Sequence, residues 1–328
     1  RKVETLLEAP LRSVNNSQFV RGSAVWIAPV VLALLLGGLA VPAAAQQVHT
    51  FELDTLLVTG ASRLPGGAAG RVVSIVDREA LLRQPIGSVS EALGWVMGAD
   101  LQVRSPAQAD LSLRGASYEG VLVLVDGVRM SDPQTGHFDL DTTVPLERVE
   151  RIEVLLGPAS AQFGADAVGG VVNIVTRSDW AGGEVRMEGG TFGRWTLAGS
   201  GGADVGRWNV TAGAERTESD GHREGTDYEV LLLDGRAGGP VGAGRIEVSL
   251  GHGRRNFGAA DFYGPFPAYE RTRTSFGAAR WMGPAGPLAV NTQVTARRHT
   301  DDFILRRDDP AFYRNNHVSD QVGADVTA

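Results

Sequence analysis

The hydrophobic pattern changes period along the chain, and each change predicts a different element. Residues 24–41 form one uncharged apolar run, preceded by Arg21 and followed by Ala43, Ala44, Ala45 and Gln46. A run with a basic entry and a small-residue exit is the pattern of an export leader. Residues 1–45 are therefore expected to be a signal peptide with an N-terminal extension, cleaved after about Ala45. From 71 to 178 the period mixes. Residues 72–76 read as a short strand, and Ser88 with Glu91 has the capping-box spacing that opens a helix over 89–97, stopped by Gly98. Residues 110–114 alternate as a strand. Residues 121–125 and 128–130 flank Asp126 and Gly127, the dipeptide that turns a two-residue hairpin. Residues 149–155 and 171–176 supply further strands, which gives an α+β domain.

After 178 the period settles at two. Trp208, Val210, Ala212 and Ala214 alternate with Asn209, Thr211 and Glu215; Leu288, Val290, Thr292, Val294 and Ala296 alternate with Asn291, Gln293 and Arg297. One face suits lipid and the other water. Glycine-rich turns at 201–206 and 238–244 are short, while 219–226 and 257–271 are long, and this alternation is that of an outer-membrane barrel. A soluble β-sandwich shares the alternation. Aromatic residues near strand ends (Trp195, Trp208, Trp281, Tyr263, Phe303) favour interfacial girdles and hence the barrel.

Composition narrows the classes. The 328 residues include 43 glycines, nearly double the usual ~7%, without a collagen period or a low-complexity tract. Cysteine is absent, which removes disulfides, thiol nucleophiles and thiolate metal sites. The formal charge of −7 becomes more negative once residues 1–45 are removed, which argues against nucleic acid as a partner. No phosphate-binding, dinucleotide, hydrolase-elbow or zinc-protease motif occurs, and the histidines show no metal spacing, so an enzyme is not expected.

Size adds a constraint. A domain covering 54–178 has a diameter of about 36 Å. About eight strands follow it, and eight strands close to only ~16 Å, whereas twenty-two close to ~44 Å and could house it. Residues 320–328 stop within the pattern. The expectation is an α+β domain followed by a truncated antiparallel transmembrane β-barrel, with about eight of twenty-two strands present, which by itself transports nothing because an open edge in lipid does not persist.

Residues Asp54, Thr55, Leu56, Leu57, Val58, Thr59 and Gly60 form a short period-two segment ahead of a glycine-rich tether at 60–70. Such a strand can be captured by another protein through β-augmentation. The segment resembles the TonB box of TonB-dependent outer-membrane transporters, in the form of the cobalamin receptors. Leu113, Arg114 and Gly115, the stretch 122–129 around Val125, Asp126 and Gly127, Arg151 through Pro158, and Gln162 through Thr176 are similar to the plug domain of the same family. The resemblance covers 46–178. Leu156 stands where a basic residue is usual, which puts one plug-to-barrel salt bridge of the family in doubt, and Phe163 stands where tyrosine is common and keeps the aromatic packing.

The resemblance implies a division into leader (1–45), TonB box and tether (46–70), plug (71–178) and the first part of the barrel (179–328). It implies a Gram-negative outer membrane, TonB and its inner-membrane energising complex as partners of residues 54–60, outer-membrane lipid around the barrel, and active uptake of a scarce small molecule. Cobalamin is the first candidate, a ferric siderophore or other metal chelate the alternative, and a non-transporting barrel or adhesin the outsider. Ligand contacts are expected on two plug loops, through Arg104 and Gln108 in 102–110 and through Asp132, Gln134, Thr135, His137 and Phe138 in 130–139. The second loop also reads as a turn satisfied by its own Asp132 and Pro133. Arg114, Arg151 and Glu153 are expected either to pair with the barrel wall or to be charges on a plain solvated face, where isolated exposed pairs contribute little. No resident cofactor is expected beyond calcium, for which Glu218, Asp220 and Asp227 supply part of an oxygen shell.

Overall fold

Strand β4 (Val121–Val125) is an unbroken apolar run buried on both faces, and the plug is built around it. The computed structural model describes residues 72–328; the expected leader, TonB box and tether lie outside the described residues. β4 pairs in parallel with β7 (Gly170–Thr176), and the five-stranded sheet runs in the order β1 (Val72–Asp77), β6 (Val149–Leu156), β7, β4, β5 (Val128–Arg129). A strand covered on both sides has no reason to alternate. Val121, Val123 and Val125 enter one apolar cluster with Ile152, Val154 and Ile174, while Leu122 and Leu124 enter a second with Leu155 and Phe163.

The turn between β4 and β5 has positive φ at both Asp126 (48°) and Gly127 (81°), as a two-residue hairpin of the type I′ class requires. Asp126 also ties the turn to β7, accepting from Thr176 N at 2.9 Å and Thr176 Oγ1 at 2.6 Å.

Three expectations for the plug need correction. The helix opened by Ser88 is α2 (Val89–Leu93), shorter than 89–97, because Gly94 already closes the turn. Ser88 Oγ accepts from Glu91 N as a cap does, while the Glu91 carboxylate reaches Gly87 N rather than the cap residue's own N. A second helix, α1 (Arg78–Arg83), is capped by Asp77 and was not expected. Residues 102–110 are not a loop. They belong to a hairpin of β2 (Ala99–Ser105) and β3 (Gln108–Leu113), in which the buried polar Ser105, Gln108 and Asp110 imitate a loop in the sequence.

Eight antiparallel strands follow, β8 (Gly182–Gly189), β9 (Trp195–Val205), β10 (Trp208–Ser219), β11 (Tyr228–Val241), β12 (Gly244–Gly258), β13 (Tyr269–Ala285), β14 (Leu288–Ile304) and β15 (Arg314–Thr327), each paired with the next. The glycine-rich turns are tighter than expected, since 201–205 and 238–241 are strand. All tight turns lie at one end of the sheet and all longer loops at the other.

The burial pattern is inverted relative to a soluble sheet. On β10 the polar Asn209, Thr211, Glu215 and Thr217 are buried against the plug, whereas Trp208 (37%) and Val210 (41%) are exposed. On β14, Gln293, Arg297, His299 and Asp301 are the buried set. A sandwich would bury its apolar face, so this sheet is a barrel wall with a polar lumen and an apolar exterior. Of the five aromatics expected in girdles, Tyr263 and Phe303 turn inward: Tyr263 Oη donates to Glu270, and Phe303 shares the inner face of β14 with Asp301.

Candidate functional site

The plug is held in the wall by charge pairs that cross the lumen. Arg78 binds both oxygens of Glu184 at 2.5 and 2.7 Å, and Arg177 reaches the same carboxylate at 2.8 Å. Arg148, fully buried, donates to Asp234 at 2.8 Å and to the Arg177 carbonyl at 2.9 Å. Glu147 pairs with Arg186, and Asp141 accepts from Thr272 at 2.5 Å beside Arg255. Arginines on three successive strands donate to plug carbonyls: Arg255 to Thr142, Arg280 to Asp126 and Arg297 to Ser131.

The residues expected in this role are placed differently. Glu153 is paired within the plug, accepting from Arg151 of its own strand at 2.7 Å and from Asn173 at 3.1 Å, because β6 is an interior strand and turns Glu153 into the domain. Arg114 is exposed at a φ of 52° and makes no ion pair among the described residues.

Toward the long loops the β2–β3 hairpin pushes its tip into the wall. Ala107 is buried among Tyr228, Val230, Leu232, Phe257 and Ala268. Behind the tip, Asp110 is the centre of a polar cluster: His137 Nδ1 lies 3.0 Å from Asp110 Oδ2, Arg104 Nε 3.5 Å from it, and Gln108 Nε2 donates to Oδ1 at 3.1 Å. The His137 ring stacks on Tyr118 at 4.4 Å, and the Tyr118 hydroxyl lies 3.2 Å from His137 Nε2. Burial raises the Tyr118 hydroxyl above its ordinary range, with Glu119 and Asp110 adding to the shift.

Above this cluster the loop end is aromatic and cationic. Phe257, Phe262, Tyr263, Phe303 and Tyr313 form a chain of ring contacts between 5.0 and 6.3 Å. Arg104 lies over Tyr263 at 5.9 Å and Arg307 over Tyr269 at 4.2 Å. Burial, followed by the neighbouring Glu270 carboxylate, raises the Tyr263 hydroxyl and keeps it neutral. Arg104, Gln108 and His137 thus come together with Tyr118, Asp110 and Tyr263, which sequence reasoning had not selected. Their sequence positions are far apart, and only the hairpin and the wall unite them.

The other expected ligand residues divide. Gln134 and Thr135 line a separate open cavity of about 320 Å³ with Arg129, Asp139 and Asp166. Asp132 is buried; its Oδ1 accepts from Gln134 N at 3.4 Å, the self-satisfied turn, and from Ser319 of the wall at 3.1 Å. Phe138 is 3% exposed and stacks on His299 at 4.9 Å, so it packs plug against wall and offers no free ring. Burial pushes the Asp139 carboxyl up to about 8, against the opposing hydrogen bond from Asp132 N.

The calcium set does not assemble. Glu218 lies on the outer face of β10 and pairs with Arg216, Asp227 binds Arg307 at 2.5 and 3.0 Å, and no cluster of three metal-ligating side chains occurs among the described residues. Arginines already neutralise two of the three carboxylates a cation would need.

Residues 68–171 match the TonB-dependent receptor plug domain. The chain is 35% identical over 164 residues to an iron-regulated outer membrane virulence protein of Vibrio cholerae, a match covering 47% of this chain and 25% of the relative. It thus spans about a quarter of the length of the curated relatives it matches. Among solved structures it is similar to the siderophore receptor PiuA of Acinetobacter baumannii, with a TM-score of 0.59 at 15% identity over 77% of this chain and 42% of that one. A variant of the ferric enterobactin receptor PfeA of Pseudomonas aeruginosa, in complex with enterobactin, gives 0.62 at 18% over 77% and 46%. The copper transporter OprC gives 0.63 at 16% over 84% and 44%. At these identities the structures show the fold, a plug seated against antiparallel barrel strands.

Proposed function

We propose that this chain supplies the plug and barrel strands of a TonB-dependent receptor in the outer membrane of a Gram-negative bacterium, taking up a ferric siderophore or a related metal chelate. The carrying observation is the aromatic and cationic surface above the plug, where Arg104, Tyr118, His137 and Tyr263 converge. An anionic aromatic chelate offers ring faces to stack on the tyrosines and charge for the arginines. The names of the Vibrio relative and of the structural neighbours, which speak of iron, siderophores and copper, support the same reading. They give no support to cobalamin, which rested on the form of residues 54–60. Bare copper is less favoured than a chelate, since the chain has no cysteine and its described residues hold no metal-ligating cluster.

TonB engages residues 54–60 and pulls on β1, the edge strand of the plug sheet, which among the described residues is paired only to β6. No covalent step on the ligand is needed. Titration of the purified chain in neutral micelles, read by tryptophan quenching, is expected to show low-micromolar binding of a ferric catecholate and none of cyanocobalamin. His137→Ala and Arg104→Ala each weaken it about tenfold, the size of one charge-assisted contact. Binding of cyanocobalamin alone would overturn the proposal.

A further inference from the structure

The outward side chains of the wall change character at a definite register. Toward the tight turns, one row across five strands reads Ala237, Val248, Ala279, Val294 and Ala324, and the next toward the long loops reads Gly235, Leu250, Gly277, Ala296 and Val322. Two steps further toward the long loops the row is Leu231, Arg254, Arg273, Thr300 and Val318. Arg254 and Arg273 stand directly opposite each other on neighbouring strands, both facing outward. Like charges in that position are destabilising.

Arg254 is anchored to Glu229 at 2.5 Å, whereas Arg273 has no ion pair or hydrogen bond among the described residues. In the intervening row, Arg298 is bound to Asp320 at 2.6 Å, and His252 Nδ1 lies 2.8 Å from Ser275 Oγ. The chain as a whole is anionic, yet here cations cluster just above the apolar band. Directly beneath them, Gly277 and Ala296 leave a low shelf beside Leu250, which is 62% exposed.

We propose that Arg254 and Arg273 bind the phosphate of a phosphorylated lipid headgroup in the leaflet facing the long loops, with an acyl chain lying along the shelf of Leu250, Gly277 and Ala296. This rests on the outer-membrane reading and is independent of the ligand taken up. A soluble anion would gain the charge but not the shelf. A phosphate carrying an acyl tail satisfies both, and it relieves the repulsion between two guanidinium groups that the fold otherwise leaves opposed.

The test uses the chain in neutral alkyl maltoside micelles, with Arg254→Gln/Arg273→Gln and the single variant Arg273→Thr beside it. The probes are diphosphorylated lipid A, the same lipid with its phosphates removed, and inorganic phosphate. Lipid retention is read by native mass spectrometry and stability by the thermal midpoint. Diphosphorylated lipid A is expected to be retained about tenfold less by the double variant. Arg273→Thr is expected to melt no lower than the parent without lipid, and to lose the rise that the phosphorylated lipid produces. Equal retention by parent and variant, equal retention of the dephosphorylated lipid, or the same rise from inorganic phosphate would each overturn the site. If no lipid of either kind is retained, the outer-membrane reading falls as well; retention without phosphate discrimination removes the headgroup site alone.

Discussion

Burial pushes carboxyls of the plug toward their neutral form, and Asp139 is the clearest case. It is 8% exposed, accepts a 2.7 Å bond from Asp132 N, and its carboxyl is held up to about 8 by burial. A carboxyl whose folded pKa lies above its unfolded value of 3.8 binds its proton more tightly in the folded state. The stabilisation is fully present below the unfolded value and is lost as pH rises through about 8. Asp139→Asn keeps the shape and the acceptor oxygen but removes the titration. Its thermal midpoint is expected to fall less than that of the parent between pH 4 and 8, and to exceed it at pH 8 by several degrees, since ~1 kcal/mol moves the midpoint by about 2–4 °C in chains of ~150–250 residues. Circular dichroism melts across that pH range check this, and parallel curves for the two proteins would refute it.

Between elements, the contact of plug with wall depends on small residues as much as on charge. Arg148 lies flat against β10 because position 213 is glycine; a Cβ there would stand 2.3 Å from Arg148 Cγ. Arg148→Ala leaves Asp234 buried without its cation and is expected to cost about 3–5 kcal/mol, seen as a lower unfolding midpoint and faster proteolysis between β7 and β8. Adding Asp234→Asn should recover part of the loss; no recovery would mean that packing rather than charge holds the contact. This layer was only partly legible in the sequence. β4 announced itself as an apolar run, β6 and β7 as further strands, Asp126 and Gly127 as a hairpin, and Ser88 as a cap. Of the β2–β3 hairpin only the strand over 110–114 was legible, and the rest read as a loop, because Gln108 and Asp110 are buried polar groups satisfied by partners such as His137, 27 residues beyond Asp110. Glu153 was mistaken for a wall contact because alternation along β6 cannot say which face meets the barrel and which meets Asn173.

For the whole molecule the sequence carried the right period and an ambiguous sign. Alternation along 208–216 or 288–296 fits a sandwich or a barrel equally, and only burial of the polar set against the plug decides between them. The apical cluster stayed hidden for the related reason that its rings come from β12, the 259–268 loop, β14 and the 305–313 loop, which the sheet alone brings together. The sign has an energetic consequence that one substitution can read. Leu250 points outward within the apolar band and is 62% exposed. On a water-facing surface, Leu250→Arg would change stability by no more than about 0.5 kcal/mol. Facing hydrocarbon, it is expected to cost about 2–4 kcal/mol if it lies near the bilayer midplane and less toward the interface. Urea unfolding of the receptor that contains this chain, reconstituted in phosphatidylcholine vesicles and compared with Val326→Arg near the tight-turn edge of the band, measures the difference directly. A larger loss at Leu250 than at Val326 fixes the depth of the band on the wall. Equal and negligible losses at both would mean that water, not lipid, covers this face, and the receptor reading would have to be abandoned along with the headgroup site that depends on it.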